Sequence, residues 1–158
     1  MKEILLTGFC GTSSELIVKK ADCMSLILPN DKALDSQILL AEIDRHHYKY
    51  IFSFGQKPNI RDKAYIETTA RNGSRCLHTD FAYNKLQNTL RAENITVRVS
   101  DNAGTSFCNA VYWNVLQYIS NLELKTKIIF LHIPFLKNMT APEDFCERIL
   151  KGIENYCQ

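Results

Sequence analysis

A chain of 158 residues that is 46% hydrophobic is long enough to bury one substantial core, so a single domain over 1–158 is expected, with no disulfide or metal needed to hold it. Its 19 Lys and Arg against 17 Asp and Glu leave a formal charge of +2, spread along the chain, which excludes the basic footprint of nucleic-acid binding or of adhesion to an anionic membrane. The longest apolar runs, such as 128–131, are too short to cross a bilayer, and the six cysteines, without any Cys-x-x-Cys pair, read as reduced thiols with no zinc spacing.

In chain order, Met1-Lys2-Glu3-Ile4 leads directly into a strand over 2–7 with no signal-peptide pattern, from which a cytoplasmic location is expected. A second strand is expected at 24–28, then a helix over 33–45 with apolar spacing through Leu34, Ile38, Leu39 and Ile43. The third strand, 48–54, ends at Gly55, and a fourth covers 65–69. A helix over 81–93 carries Leu86 and Leu90 on one face, and 96–99 forms a strand leading to the next helix. That helix opens near Cys108 and stripes Cys108, Tyr112, Val115, Ile119 and Leu122 on one side. The strand 128–131 delivers His132, Pro134 stops it, and a last helix spans 142–156 through Phe145, Ile149 and Ile153. Segments 59–61 and 73–79 read as irregular loops. The alternation implies an α/β fold with a mostly parallel sheet.

Open α/β sheets hold ligands at the carboxyl ends of their strands. Gly8-Phe9-Cys10-Gly11, Gly55-Gln56, Ser100-Asp101-Asn102 and His132 all fall there. Cys108, in the first turn of its helix, meets unsatisfied N–H groups and about half a positive charge, an environment expected to ease ionisation of a nucleophilic thiol. Thr105 or Ser106 is the natural cap of that helix. Glu67 requires a charged partner if it is buried, and His132 supplies one. Each residue also has a plainer reading: Cys108 as packing on an apolar stripe, His132 as a core histidine, Glu67 as a solvated edge residue. Asp101 and Asn102 read as turn formers, Tyr112 and Trp113 as core or subunit contacts, and His46-His47 as a solvated helix end.

Four stretches occur in one order: Leu6-Thr7-Gly8-Phe9; Ile66-Glu67 followed by Ala70 and Asn72; Val99-Ser100-Asp101-Asn102-Ala103-Gly104-Thr105 with Cys108-Asn109; and His132-Ile133-Pro134. Together they resemble the pyroglutamyl peptidase I family of cysteine peptidases over roughly residues 4–135. The resemblance implies a three-layer α/β/α sandwich, Cys108 as nucleophile, His132 as general base and acid, and Glu67 as the acid that orients the ring. It further implies hydrolysis of an N-terminal pyroglutamyl residue from peptides through a thioester, no cofactor or metal, and a homo-oligomer, often a tetramer. Phe9 and Phe107 are then candidate aromatic walls of the substrate pocket, and Gln56 a partner for the lactam. The family motif usually continues Phe-Glu-Pro-Phe-Gly, whereas this chain reads Phe9-Cys10-Gly11-Thr12-Ser13 and lacks the second phenylalanine. Two alternatives therefore stand beside the peptidase: an amidase of changed specificity, and a non-catalytic small-molecule-binding domain on the same scaffold.

Overall fold

The computed structural model describes residues 3–158, so Lys2, the expected start of the first strand, lies outside the described residues. Strand β1 (Ile4–Phe9) is buried along its whole length, as a strand covered by helices on both faces must be. It is followed by α1 (Ser13–Lys20), β2 (Met24–Leu28), α2 (Lys32–Arg45), β3 (Tyr50–Lys57) and β4 (Lys63–Glu67). A hairpin of β5 (Thr69–Asn72) and β6 (Arg75–His78) precedes α3 (Tyr83–Ala92) and β7 (Thr96–Ser100). The chain closes with α4 (Phe107–Asn121), β8 (Lys127–Pro134), a 3-10 turn at Leu136–Asn138 and α5 (Pro142–Cys157).

Six strands form the central sheet in the order β2-β1-β3-β8-β4-β7. Pairing is parallel except between β4 and β8, so β4 and β7 run opposite to the other four. Helices α1, α3 and α5 enclose one core against the sheet, with Ile17, Leu86, Ile149 and Phe52 at its centre. Helices α2 and α4 enclose the other, with Leu39, Ile43, Val111, Tyr112 and Phe130. The three-layer α/β/α sandwich is thus the architecture of the chain.

Several features differ from the sequence reading, among them β4, which ends at Glu67 where a strand over 65–69 is expected, Thr69 instead opening β5. Helix α1 is absent from the expected elements; it is short, its opening residues are polar, and it depends on a Thr12 cap that accepts from the Ser14 N–H and on close approach to β1. A Cβ at Gly8 would come within 2.6 Å of the Ser14 carbonyl oxygen, so glycine admits the helix. Residues 73–79, expected to be irregular, instead contain β6, which pairs with β5 around Gly73 at φ +61°. Strands β3 and β8 run past their expected ends, because they pair in register from Tyr50–Lys127 through Gly55–His132 to Lys57–Pro134.

Candidate active site

Strand alternation decides which side chains share the site. On β3, Phe52 and Phe54 enter the core beneath α1, α3 and α5, so Gly55 and Lys57 lie on the face toward α4. On β8, Phe130 and His132 occupy that same face. Ala64 and Ile66 of β4 go to the opposite core, which leaves Tyr65 and Glu67 facing α4. Antiparallel pairing sets Tyr65 opposite His132 and Glu67 opposite Phe130, so Glu67 is the diagonal neighbour of His132.

Glu67 is fully buried and His132 is 4% exposed. Glu67 Oε1 lies 2.7 Å from His132 Nδ1. The carboxylate can only accept, so Nδ1 carries the proton and Nε2 is the free ring nitrogen. Burial by itself lifts the Glu67 carboxyl, but the hydrogen bond from His132, the neighbouring Ser100 hydroxyl and the charge of Lys57 outweigh it and hold the group below its ordinary value. Lys57 Nζ sits 3.3 Å from the same Oε1, while Oε2 has no hydrogen-bond partner among the described residues.

Helix α4 brings in Cys108 as its second residue. Ser106 stands at the N-cap, as expected of one of the two candidates, but its side chain makes no capping bond to the first-turn N–H groups. The thiol rests over β3: a Cβ at Gly55 would collide with Cys108 Sγ and approach the Phe130 ring to 3.0 Å. Gly55 is the register partner of His132, so the missing side chain makes room for sulfur beside the histidine strand.

A cysteine at a helix start is expected to have a lowered thiol pKa, yet burial pushes Cys108 up to about 12, and the negative charges of Glu67 and Asp35 act in the same direction. With the residue only 8% exposed, desolvation of a thiolate outweighs the pull of the helix terminus.

Several contacts that the sequence does not mark set the position of α4. Asn109 accepts from the Arg71 N–H and donates to the Arg71 carbonyl, both at 2.9 Å, clamping the helix start to β5. Arg71 in turn donates through Nε and a terminal nitrogen to the Asp101 carbonyl. Tyr112, fully buried, donates to the Glu67 carbonyl at 2.8 Å. Asn102 keeps its turn-forming part by accepting from the Gly104 N–H, where φ is +83°. Asn109 belongs to the cysteine motif, but a residue next to a cysteine carries no mark of which strand it will meet.

The three proposed pocket residues separate. Phe9 is buried, 6.5 Å from the Phe130 ring centroid, in the core that contains Cys108. Phe107 opens α4 and is 37% exposed. Gln56 does not join them: strand alternation points it to the α1 face, where its Oε1 accepts from the Ser13 N–H at 3.0 Å. Cys10, which follows Phe9 in the first motif, is exposed. All six cysteines are free thiols. Among the described residues no group of three or more His, Cys, Asp or Glu side chains is arranged to hold a metal ion, and no helix is long and apolar enough to cross a membrane.

Known proteins share both sequence and architecture with this chain. The family model of the pyroglutamyl peptidases matches residues 57–148, a span that contains Glu67, Cys108 and His132. Pyrrolidone-carboxylate peptidase 1 of Caldanaerobacter subterraneus is 37% identical over 59 residues, 37% of this chain and 27% of that protein. The pyrrolidone-carboxylate peptidase of Fusobacterium nucleatum is 23% identical over 97% of this chain and 90% of its own. Among solved structures, pyroglutamyl peptidase I of Bacillus amyloliquefaciens superposes with a TM-score of 0.85 at 18% identity, over 100% of this chain and 98% of that one. The likeness of structure shows the fold, and the match over more than half of the sequence shows the lineage: this chain belongs to the pyroglutamyl peptidase family.

Proposed function

We propose that this chain is a cysteine exopeptidase that removes an N-terminal pyroglutamyl residue from peptides, with Cys108 as nucleophile, His132 as general base and acid, and Glu67 orienting the imidazole. The observation that carries this reading is the buried 2.7 Å His132–Glu67 pair on the face where Gly55 admits the Cys108 sulfur.

Cys108 would begin the reaction as a neutral thiol, since burial disfavours its ionised form. His132 Nε2 takes the thiol proton as Sγ forms a bond to the pyroglutamyl carbonyl carbon. The developing oxyanion is received by N–H groups of the first turn of α4, which the Ser106 side chain leaves uncapped. One such donor is worth about 2.7–4 kcal/mol of barrier in comparable sites. The imidazolium then protonates the leaving amine, the amide bond breaks, and a thioester remains. Water, deprotonated by the same nitrogen, hydrolyses the thioester and regenerates the thiol. Glu67 stabilises the imidazolium in both halves and fixes the tautomer.

Phe9 and Phe107 border the reacting thiol in this reading as apolar contacts for the lactam ring. Assembly as a homo-oligomer, a tetramer by family resemblance, and a cytoplasmic location belong to the same proposal. A second reading, an amidase of changed specificity, is favoured by one feature: the Gln56 carbonyl oxygen is engaged by Ser13 N–H and faces away from Cys108.

The deciding experiment is fluorophore release from a pyroglutamyl-amide substrate by reduced protein, beside Cys108→Ser. Turnover abolished in a folded variant supports the peptidase. Turnover surviving it removes Cys108 from the chemistry. Absence of turnover in the unmodified protein, with other acyl-amides cleaved, transfers the conclusion to the second reading.

A further inference from the structure

We propose that Lys57 is a positioning residue that competes with His132 for the Glu67 carboxylate, keeping the imidazole neutral and able to accept a proton at a lower pH than an isolated Glu–His pair allows. This inference rests on the role of His132 proposed above.

The geometry is a three-membered arrangement around one oxygen. His132 Nδ1 and Lys57 Nζ approach the same Glu67 Oε1, at 2.7 and 3.3 Å, so the two nitrogens are no more than about 6 Å apart. Lys57 is the last residue of β3, and its side chain is set by two further contacts: the ammonium lies 4.8 Å from the Tyr65 ring centroid and donates to the Asn102 carbonyl at 3.5 Å. Its side chain keeps 29% of its exposure, so it reaches the carboxylate from the solvent edge while Glu67 is sealed.

A buried carboxylate beside a histidine favours imidazolium, which is useful after proton transfer but removes the base beforehand. A second cation on that carboxylate offsets part of its charge and repels a proton on the ring. The charged and titratable groups around the His132–Glu67 pair are few. Strand β3 contributes Lys57, β4 contributes Glu67 and Tyr65, and β7 contributes the uncharged Ser100 hydroxyl. Helix α4 contributes Cys108 and Tyr112, both held in their neutral forms by burial, and Asp35 of α2 acts on the cysteine from further away. Lys57 is the only fixed positive charge among these groups. Its presence agrees with the neutral resting thiol: where the ring is kept neutral and the thiol protonated, the proton moves only when substrate arrives.

The test reads the ring directly. The His132 Cε1–H resonance, assigned with a His132→Gln variant, is followed through a pH titration of substrate-free protein for the unmodified chain, Lys57→Met, Lys57→Gln and Lys57→Arg. Removing a cation no more than about 6 Å away at a partly exposed site shifts the His132 midpoint upward by about half to one pH unit in both neutral variants. Lys57→Arg restores the original midpoint. The acidic limb of kcat/KM on the pyroglutamyl-amide moves with the midpoint. A midpoint unchanged or lowered in the folded neutral variants overturns the proposal. Because the titration needs no turnover, a failure of the proposed peptidase activity leaves this result readable, and the two failures are separate.

Discussion

At the scale of single residues, the reactive candidate is among the least accessible of the cysteines. Cys10 and Cys76 are exposed, whereas Cys108 is buried and its thiol is pushed up to about 12. Alkylation in the absence of substrate should therefore label Cys10 and Cys76 ahead of Cys108 near neutral pH, because the thiolate is the attacking species and the buried thiol holds almost none. Mass spectrometry of iodoacetamide-treated protein, sampled over time, checks the order. Cys108 labelled first would mean that an imidazolium–thiolate pair already exists at rest, in place of the neutral pair. The Glu67 shift carries its own sign. A carboxyl held below its ordinary value contributes stability above that value, and the contribution is lost as pH falls through the lowered one. Glu67→Gln should accordingly flatten the loss of stability on the acid side, measured by urea unfolding at stepped pH.

At the scale of elements, the site depends on how closely α4 approaches β3 and on what ties its first turn. Gly55→Ala places a methyl into the volume of Cys108 Sγ and against the Phe130 ring. Overpacking of this kind costs about 1–3 kcal/mol. A displacement of order 1 Å at the sulfur is expected to lower kcat by about a hundredfold. Thermal unfolding and kcat measured together check both parts, and a variant with unchanged kcat would show that the thiol does not use this space. Asn109→Ala removes both bonds to Arg71 and should destabilise the protein by about 1–3 kcal/mol, with a fall in kcat as the helix start loosens. Neither residue carries chemistry; each acts through where it sets Cys108.

At the scale of the whole molecule, the sheet separates two cores, and only one touches the site. Phe81 lies in the other, stacked on Tyr156 with centroids 5.0 Å apart and edge-on to Phe52 at 5.3 Å. Phe81→Ala should cost about 3–5 kcal/mol, a drop in Tm of roughly 10 °C, while turnover per folded molecule below the transition is preserved. Loss of activity in parallel with a retained fold would show that the two cores are coupled through the strands. The same layering explains which elements are legible in the amino-acid pattern. Apolar periodicity marks the long helices α4 and α5 and the buried strands, because burial on a helix stripe or a covered strand must be encoded locally. It marks α2 only in part: Leu39 and Ile43 are buried, but Leu34 and Ile38 of the expected stripe are exposed while Asp35 and Ser36 face inward. The cysteine motif at a helix start and His132 near the carboxyl end of β8 are legible because the α/β layout puts its ligands there. Glu67 is legible only through the resemblance of its motif, because β4 runs antiparallel to β8 and sets it opposite Phe130. Helix α1 and the β5–β6 hairpin are not, since one relies on a close approach at Gly8 and the other on pairing between short, half-exposed strands with little periodicity. The side of β3 on which Gln56 and Lys57 fall is equally hidden, because a period of two assigns faces only once the register is known. The sequence by itself determined the α/β architecture, through the apolar pattern that each segment carries, and pointed to the three candidate groups, through motifs that together and in order resemble one family. Only the tertiary structure decided that the thiol is desolvated, that Gln56 is turned away and that Lys57 shares the carboxylate with His132, because burial and charge proximity are properties of segments distant in the chain.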